Sequence, residues 1–196
     1  MESSSPRPYR MTARAEAAAQ TGRDILAATV ALWREKALDE ITLREIADRA
    51  DVSVQTVIRR FGSKEGVFDA CIESDAGGVR VERDRTPAGD LEAAVETLIS
   101  HYERDGDAVL RTLALEDRLD AAKAITERGR IEHRKWCTRV FCPYLPPPEH
   151  ETYERRVDAF VAATDLYVWK LLRRDLGRSA EETKRTTRML LDGLIS

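Results

Sequence analysis

Apolar positions recur at helical spacing along most of the chain, and no stretch alternates convincingly as a strand would. Ile25, Leu26, Thr29, Val30, Leu32 and Trp33 form the first stripe and predict a helix from about Ala17 to Lys36. Thr42, with Glu45 three residues on, makes a capping box that opens a second helix, whose inner face holds Ile46 and Ala47. Ser53 caps a third helix, on which Val57 and Phe61 lie one turn apart and face inward. Beyond Phe61-Gly62, Ser63 opens a fourth with Val67, Phe68, Cys71 and Ile72. Residues 1–15, polar and carrying Pro6 and Pro8, read as a flexible arm ahead of these elements.

The remainder continues in helices. Gly77-Gly78 weakens the end of the fourth, and Thr86-Pro87-Ala88-Gly89-Asp90 restarts the chain. Leu91, Val95, Leu98, Ile99 and Tyr102 form one stripe, Val109 to Leu115 another, and Ile131 to Val140 a third. Pro143 and the prolines at 146–148 close that stretch. Tyr153–Asp175 reads as a single helix with apolar groups around much of its circumference, and the capping box Ser179–Glu182 opens a last one. The fold class is therefore all-α, about nine helices, organised as an arm (1–15), a small N-terminal domain (16–75) and a larger C-terminal domain (76–196). The two last helices carry more apolar surface than one side can cover. Either the chain's own core fills both sides, or a second copy packs on them as a four-helix bundle. The second reading is favoured here, with Leu166, Trp169, Arg173, Thr187, Leu190, Leu191 and Leu194 as the dimer interface.

The segment TLREIADRADVSVQTVIRRFG, residues 42–62, has the spacing of a helix-turn-helix. Ala47 is small enough for the next helix to cross closely, Asp51 marks the turn, and Val52 plugs the corner. Such a pair leaves one face of its second helix free for a DNA groove. With Val57 turned inward, Gln55, Thr56, Arg59 and Arg60 face outward. Arg suits guanine, Gln suits adenine and a Thr methyl suits thymine. Arg44 reaches a base or phosphate, while Thr42, Ser53 and Lys64 stand where phosphates meet helix starts. The partner implied is double-stranded DNA, read as paired half-sites by a homodimer.

Composition bears on that reading in one respect. The net charge of −3 looks unfavourable for a polyanion, but the acidic excess lies in the C-terminal part. Residues 53–66 carry Arg59, Arg60 and Lys64 against Glu65, and residues 1–14 carry Arg7, Arg10 and Arg14 against Glu2. Positive charge is local, where a phosphate would be met, and the arm arginines have a minor-groove option. No run approaches a membrane span, and the first residues lack an apolar signal core, so a cytoplasmic location without membrane contact is expected. Cys71, Cys137 and Cys142 fit reduced thiols better than a disulfide framework.

The stretch ILAATVALWREKALDEITLREIADRADVSVQTVIRRFGSKEGVFDACI resembles the N-terminal domain of tetracycline-repressor-like (TetR) transcriptional regulators over about residues 20–72. The resemblance is carried most specifically by ITLREIA and FGSKEGVF, and ATDLYVWKLLRRDLG is similar to a dimer helix of some members. It implies a homodimeric repressor on a palindromic operator, released by a small-molecule effector. Family DNA contacts carried over fall on Thr42, Arg44, Val54, Gln55, Thr56, Ile58, Arg59, Arg60 and Lys64. Ile58 stands where the family commonly has a phosphate-contacting tyrosine, and Asp51 and Ala37 stand where it has glycine. The implied effector pocket draws on the bulky groups Tyr102, Leu113, Trp136, Phe141, Phe160 and Tyr167, with His101 and Glu116 as polar candidates.

Other chemistry is weakly represented. His133 and Cys137 share a helical face with Cys142 beyond, but a fourth zinc ligand is missing, so packing explains them better and no metal is expected. No catalytic constellation or cofactor motif stands out, and an enzyme is not expected. The alternative is a small-molecule-binding or enzymatic helical protein whose helix-turn-helix no longer reads DNA; Ile58 is the residue that favours it.

Overall fold

The computed structural model describes residues 7–195, with side chains from Ala15 onward. Among these residues the protein is all-α, and no strand occurs. It divides between Gly77 and Gly78 into two compact units. Gly78 takes a left-handed backbone at φ 72°, which costs a residue without a Cβ little.

The N-terminal unit consists of α1 (Arg7–Glu35), α2 (Leu43–Arg49), α3 (Val54–Phe61) and α4 (Lys64–Glu73). Helix α1 begins well before the first apolar stripe, because the Ala-rich stretch MTARAEAAAQ favours helix without needing a buried face. The expected arm thus overlaps α1, and the side chains of Arg7, Arg10 and Arg14 lie outside the described residues. A 3-10 turn, Leu38–Glu40, buries Leu38 on the way to α2. Ile25, Leu32, Ile41, Ile46, Ala47, Val57, Val67 and Phe68 are buried in this unit. The ends of α1 and α2 are tied by Arg49, whose two guanidinium nitrogens donate to the Glu35 carboxylate at 2.5 and 2.9 Å.

The C-terminal unit comprises α5 (Val79–Asp84), α6 (Leu91–Leu113), α7 (Asp120–Val140), α8 (Tyr153–Ala163), α9 (Leu166–Lys170) and α10 (Ala180–Ile195). Helix α6 packs against α5, α7, α9 and α10, and its Leu91, Val95, Leu98, Ile99 and Tyr102 lie in the main core. The two stripes read as separate helices on either side of residues 103–108 are one helix. Gly106, in the middle of α6, is a contact point. The Trp169 ring lies against it so closely that a Cβ there would stand 2.6 Å from the ring.

The expected single helix Tyr153–Asp175 is broken at Thr164. The Thr164 hydroxyl donates back to the Phe160 carbonyl at 2.6 Å, and the Thr164 carbonyl accepts from the Tyr102 hydroxyl at 3.1 Å. Asp165 then caps α9 by accepting from the Tyr167 backbone N–H at 2.8 Å. Past Lys170 the helix widens into a π-helical turn, Leu171–Asp175, strapped to α6 by bidentate pairs from Arg173 to Glu103 and from Arg174 to Asp107.

This packing leaves little of the expected dimer interface at the surface of the chain. Leu166, Trp169, Thr187 and Leu191 are buried in the chain's own core, and Arg173 is engaged by Glu103, so none of them offers a free apolar surface. Leu194 is half-buried against the same core. Of the expected apolar set, Leu190 remains exposed, joined by Tyr167, Leu171, Leu176 and Met189, the last 66% exposed.

Gly106→Ala is expected to lower stability by about 1–3 kcal/mol through overpacking against Trp169. Gly129→Ala, in α7 with open space around it, is expected to be stabilising by roughly 0.5–1 kcal/mol. Thermal unfolding of the two variants beside the parent checks both.

Candidate functional site

The helix-turn-helix assembles as its capping residues dictate. Thr42 Oγ1 accepts from the Glu45 backbone N–H at 3.2 Å, and Glu45 accepts from the Thr42 N–H at 3.0 Å and its hydroxyl at 2.8 Å. Lys36 also donates to Glu45. Those bonds, the lysine's first and the Thr42 bonds next, hold the Glu45 carboxyl at a pKa of about 2. Helix α2 ends at Ala50, and the chain turns at Asp51 with φ 52°, the left-handed conformation expected of the usual glycine position. The Val52 N–H returns to the Ala47 carbonyl at 3.0 Å and closes the corner. Ser53 then caps α3, its Oγ accepting from the Thr56 N–H at 3.1 Å.

The exit from α3 is equally specific. Gly62 adopts φ 79°, and its N–H donates to the Ile58 carbonyl at 2.8 Å. Ser63 caps α4 through the Gly66 N–H at 3.2 Å. A Cβ on Gly66 would stand 2.0 Å from the Phe61 carbonyl oxygen, so this position has no room for any side chain. That requirement is the physical content of the FGSKEG run.

With Val57 fully buried, α3 turns Gln55, Ile58, Arg59 and Arg60 to solvent, while Val54 and Thr56 are half-buried. Thr56 shares its hydroxyl with Ser53 Oγ at 2.9 Å, which favours a capping role. Arg60 is exposed as well, but its side chain folds back toward α1. Its guanidinium lies over Gly22 of α1, where a Cβ would come within 2.3 Å of it, and it also sits 5.8 Å from the Phe61 ring centroid. Arg59 is the arginine of the pair that projects from the reading face without this seat. Arg44 and Thr42 are exposed at the start of α2, Arg44 loosely paired with Asp48 at 3.7 Å. Lys64, at the start of α4, is half-buried with its ammonium 5.9 Å from the Phe68 ring centroid.

In the C-terminal unit the residues expected around an effector do not behave alike. His101, Tyr102, Trp136, Phe141 and Phe160 are buried and come together as an aromatic interior, in which Phe141 stacks on Phe160 at 4.5 Å and Trp136 meets Phe141 edge-on at 5.8 Å. Leu113 is half-buried against this core. Tyr167 is instead 59% exposed. Glu116 is also apart: it binds Arg130 and Thr126 beside an open surface cleft of about 460 Å³ lined by charged residues at the α6–α7 connection.

Two buried polar groups in that interior escaped the sequence reading, Arg83 and the carboxylate of Asp105, and Thr164 is buried with them. Nothing in the charged run VRVERDR distinguishes Arg83 from its solvated neighbours. His133, set aside as a metal ligand, has a structural role. Its Nδ1 faces the Arg83 Nη1 at 3.3 Å and so accepts, which leaves the proton on Nε2, 3.2 Å from Thr164 Oγ1. Burial first, and the Arg83 charge second, lower its pKa to about 3. No group of metal-ligating side chains gathers among the described residues.

Residues 25–71 match the family described as bacterial regulatory proteins, tetR family. Two solved structures are similar over almost the whole chain. One is a transcriptional regulator from Rhodococcus sp. Rha1, at 17% identity and TM-score 0.69, covering 89% of this chain and 95% of that one. The other is a putative transcriptional regulator from Pseudomonas aeruginosa PAO1, at 17% identity and TM-score 0.63, covering 89% and 90%. Comparison with curated proteins gives no match.

Two outcomes follow from this geometry. Asp51→Val should destabilise by about 1–2 kcal/mol, because a β-branched residue resists positive φ, whereas Asp51→Asn should be nearly neutral; chemical denaturation measures both. His133 is neutral when folded and titrates at its ordinary value when unfolded, so the unfolded chain binds more protons between pH 6.5 and about 3. Stability from this group is full above pH 6.5 and falls as pH drops through that window, by up to about 1.4 kcal/mol per pH unit. His133→Asn should flatten that slope in unfolding measured across the acid range.

Proposed function

We propose that this chain, whose residues 25–71 match the tetR family of bacterial regulatory proteins, is a repressor of that family, one that binds a palindromic operator as a homodimer and is released by a small-molecule effector. The observation that carries the reading is the solvent-facing side of α3, with Gln55, Ile58 and Arg59 presented by a helix held rigidly through Val57. Phosphate contacts come from the starts of α2 and α4, at Thr42, Arg44 and Lys64, and from Ser53 at the start of α3. Val54 and Thr56, half-buried at the first turn of α3, border that face. Ile58 offers an apolar contact, suited to a thymine methyl, in place of a hydroxyl for phosphate.

Self-association is supported by the exposed apolar groups of the last two helical segments: Tyr167, Leu171, Met189 and Leu190. Two copies placing these groups together would bury them in a helical bundle and set two α3 helices for paired half-sites. The apolar interior of the C-terminal unit supports an effector site of mostly aromatic lining. No helix among the described residues is long and apolar enough to cross a membrane.

Mobility-shift and footprinting assays with DNA from the chain's own upstream region test the reading. A salt-sensitive shift that protects two symmetric half-sites is expected. Arg59→Ala should lose about 1–3 kcal/mol of binding free energy while remaining folded. Arg60→Ala should lose less, since its guanidinium is seated on α1. Absence of any salt-sensitive shift, or wild-type affinity in Arg59→Ala, overturns the assignment.

A further inference from the structure

The interior of the C-terminal unit holds a guanidinium that has no carboxylate partner among the described residues. Arg83, in the last turn of α5, is only 8% exposed. What it touches is neutral: His133 Nδ1 lies 3.3 Å from Nη1, the Tyr102 phenol stands beside it, and the Trp136 ring centroid is 5.4 Å from the guanidinium carbon. Among the described residues its Nε has no hydrogen-bond partner, and neither has Nε1 of Trp136, which is 4% exposed. Buried donors are ordinarily satisfied, and a buried charge is ordinarily paired.

The surrounding groups cannot supply the missing negative charge. Burial keeps the imidazole of His133 neutral and pushes the Cys137 thiol up to about 11, so it stays protonated. Burial likewise raises the Tyr102 phenol above its ordinary value. The buried carboxylate of Asp105 is already engaged, accepting from Arg104 Nε at 2.9 Å and facing His101 Nδ1 at 3.4 Å. The site therefore presents unused donors and one positive charge within an aromatic interior.

We propose that Arg83 and Trp136 form the anion-binding end of an effector site, which takes the carboxylate of a small molecule with an apolar or aromatic body. The planar guanidinium is shaped for a carboxylate, and the indole N–H supplies a further donor to it. A neutral or cationic ligand would leave the charge unmatched. The body of the ligand packs against the rings of Tyr102 and Phe141. The wall most easily displaced to admit it is α5 itself, six residues long and followed by a turn at Gly89 with φ 81°. This inference rests on the effector-responsive reading above and names the chemical class of the effector.

The test uses the full chain without DNA. Benzoate, phenylacetate and hexanoate are titrated alongside their neutral amides, with thermal unfolding and tryptophan fluorescence as readouts. At least one carboxylate, at about tenfold excess over its Kd, should raise Tm by roughly 3–5 °C, and its amide should not. Arg83→Gln should abolish the carboxylate effect without lowering the ligand-free Tm, because it removes a buried charge that has no counter-ion. Trp136→Phe keeps an aromatic ring and loses the donor, and should weaken binding about tenfold; it decides the matter if Arg83→Gln does not fold. Lack of response to every carboxylate, equal response to the amides, or unchanged binding in the folded variants overturns the proposal. A protein that shifts operator DNA yet ignores all carboxylates would lose the anion site alone, and one that binds a carboxylate yet no DNA would lose the regulator reading alone.

Discussion

The close seating of Val57 against the inner face of α2 is the contact on which the N-terminal unit depends. Ile46, Ala47 and Val57 are all essentially inaccessible to solvent, and Ala47 lets the two helices cross at short range. A larger residue at 47 would push α3 outward, and a polar one at 57 would leave an unsatisfied group in the core. Because one side of α3 is held this firmly, its opposite side has a fixed direction. The reading face is in that sense a product of the core beneath it.

The same dependence of surface on interior recurs in the C-terminal unit. Trp169 fills the notch at Gly106, donates to Glu103 at 2.7 Å, and lies beneath the Arg174 guanidinium at 4.5 Å. That single side chain ties the last segments to α6 and draws Leu166 and Leu191 into the core. What remains outside is a different apolar set, centred on Leu171, Met189 and Leu190. A dimer built on these groups would therefore rest on the outer faces of helices whose inner faces are already occupied.

Electrostatics divides the two units. In the N-terminal unit ion pairs lie at the surface, as with Arg49 and Glu35, and such pairs contribute little to stability. In the C-terminal unit Arg83, His101, Asp105 and His133 are buried. The protonation of the two histidines is set mainly by desolvation, which keeps both toward the neutral form. The break between α8 and α9 belongs to this network, since Thr164 is held by His133, by Tyr102 and by its own bond to Phe160. A ligand that changes the surroundings of Arg83 would act on groups only two contacts away from that break.

Much of the reading head was legible in the sequence because its determinants are local. Capping by Thr42, Ser53 and Ser63, the left-handed turn at Asp51, and the inward period of Val57 all depend on neighbours within a few residues. Local backbone rules act the same way wherever such a segment is found, so the helices and their exposed faces could be placed from residue type and spacing alone. Only the tertiary structure decided where Arg60 lies, that Gly106 joins two helical stripes instead of separating them, which apolar groups the core consumes, and that Arg83 is buried without a counter-ion among the described residues. Each of these turns on a partner far away in the chain: Gly22, Trp169, the α6–α10 packing and His133. Periodicity says which side of a helix is apolar, but it carries no information about which distant side chain meets that side, and burial and charge compensation are properties of the meeting.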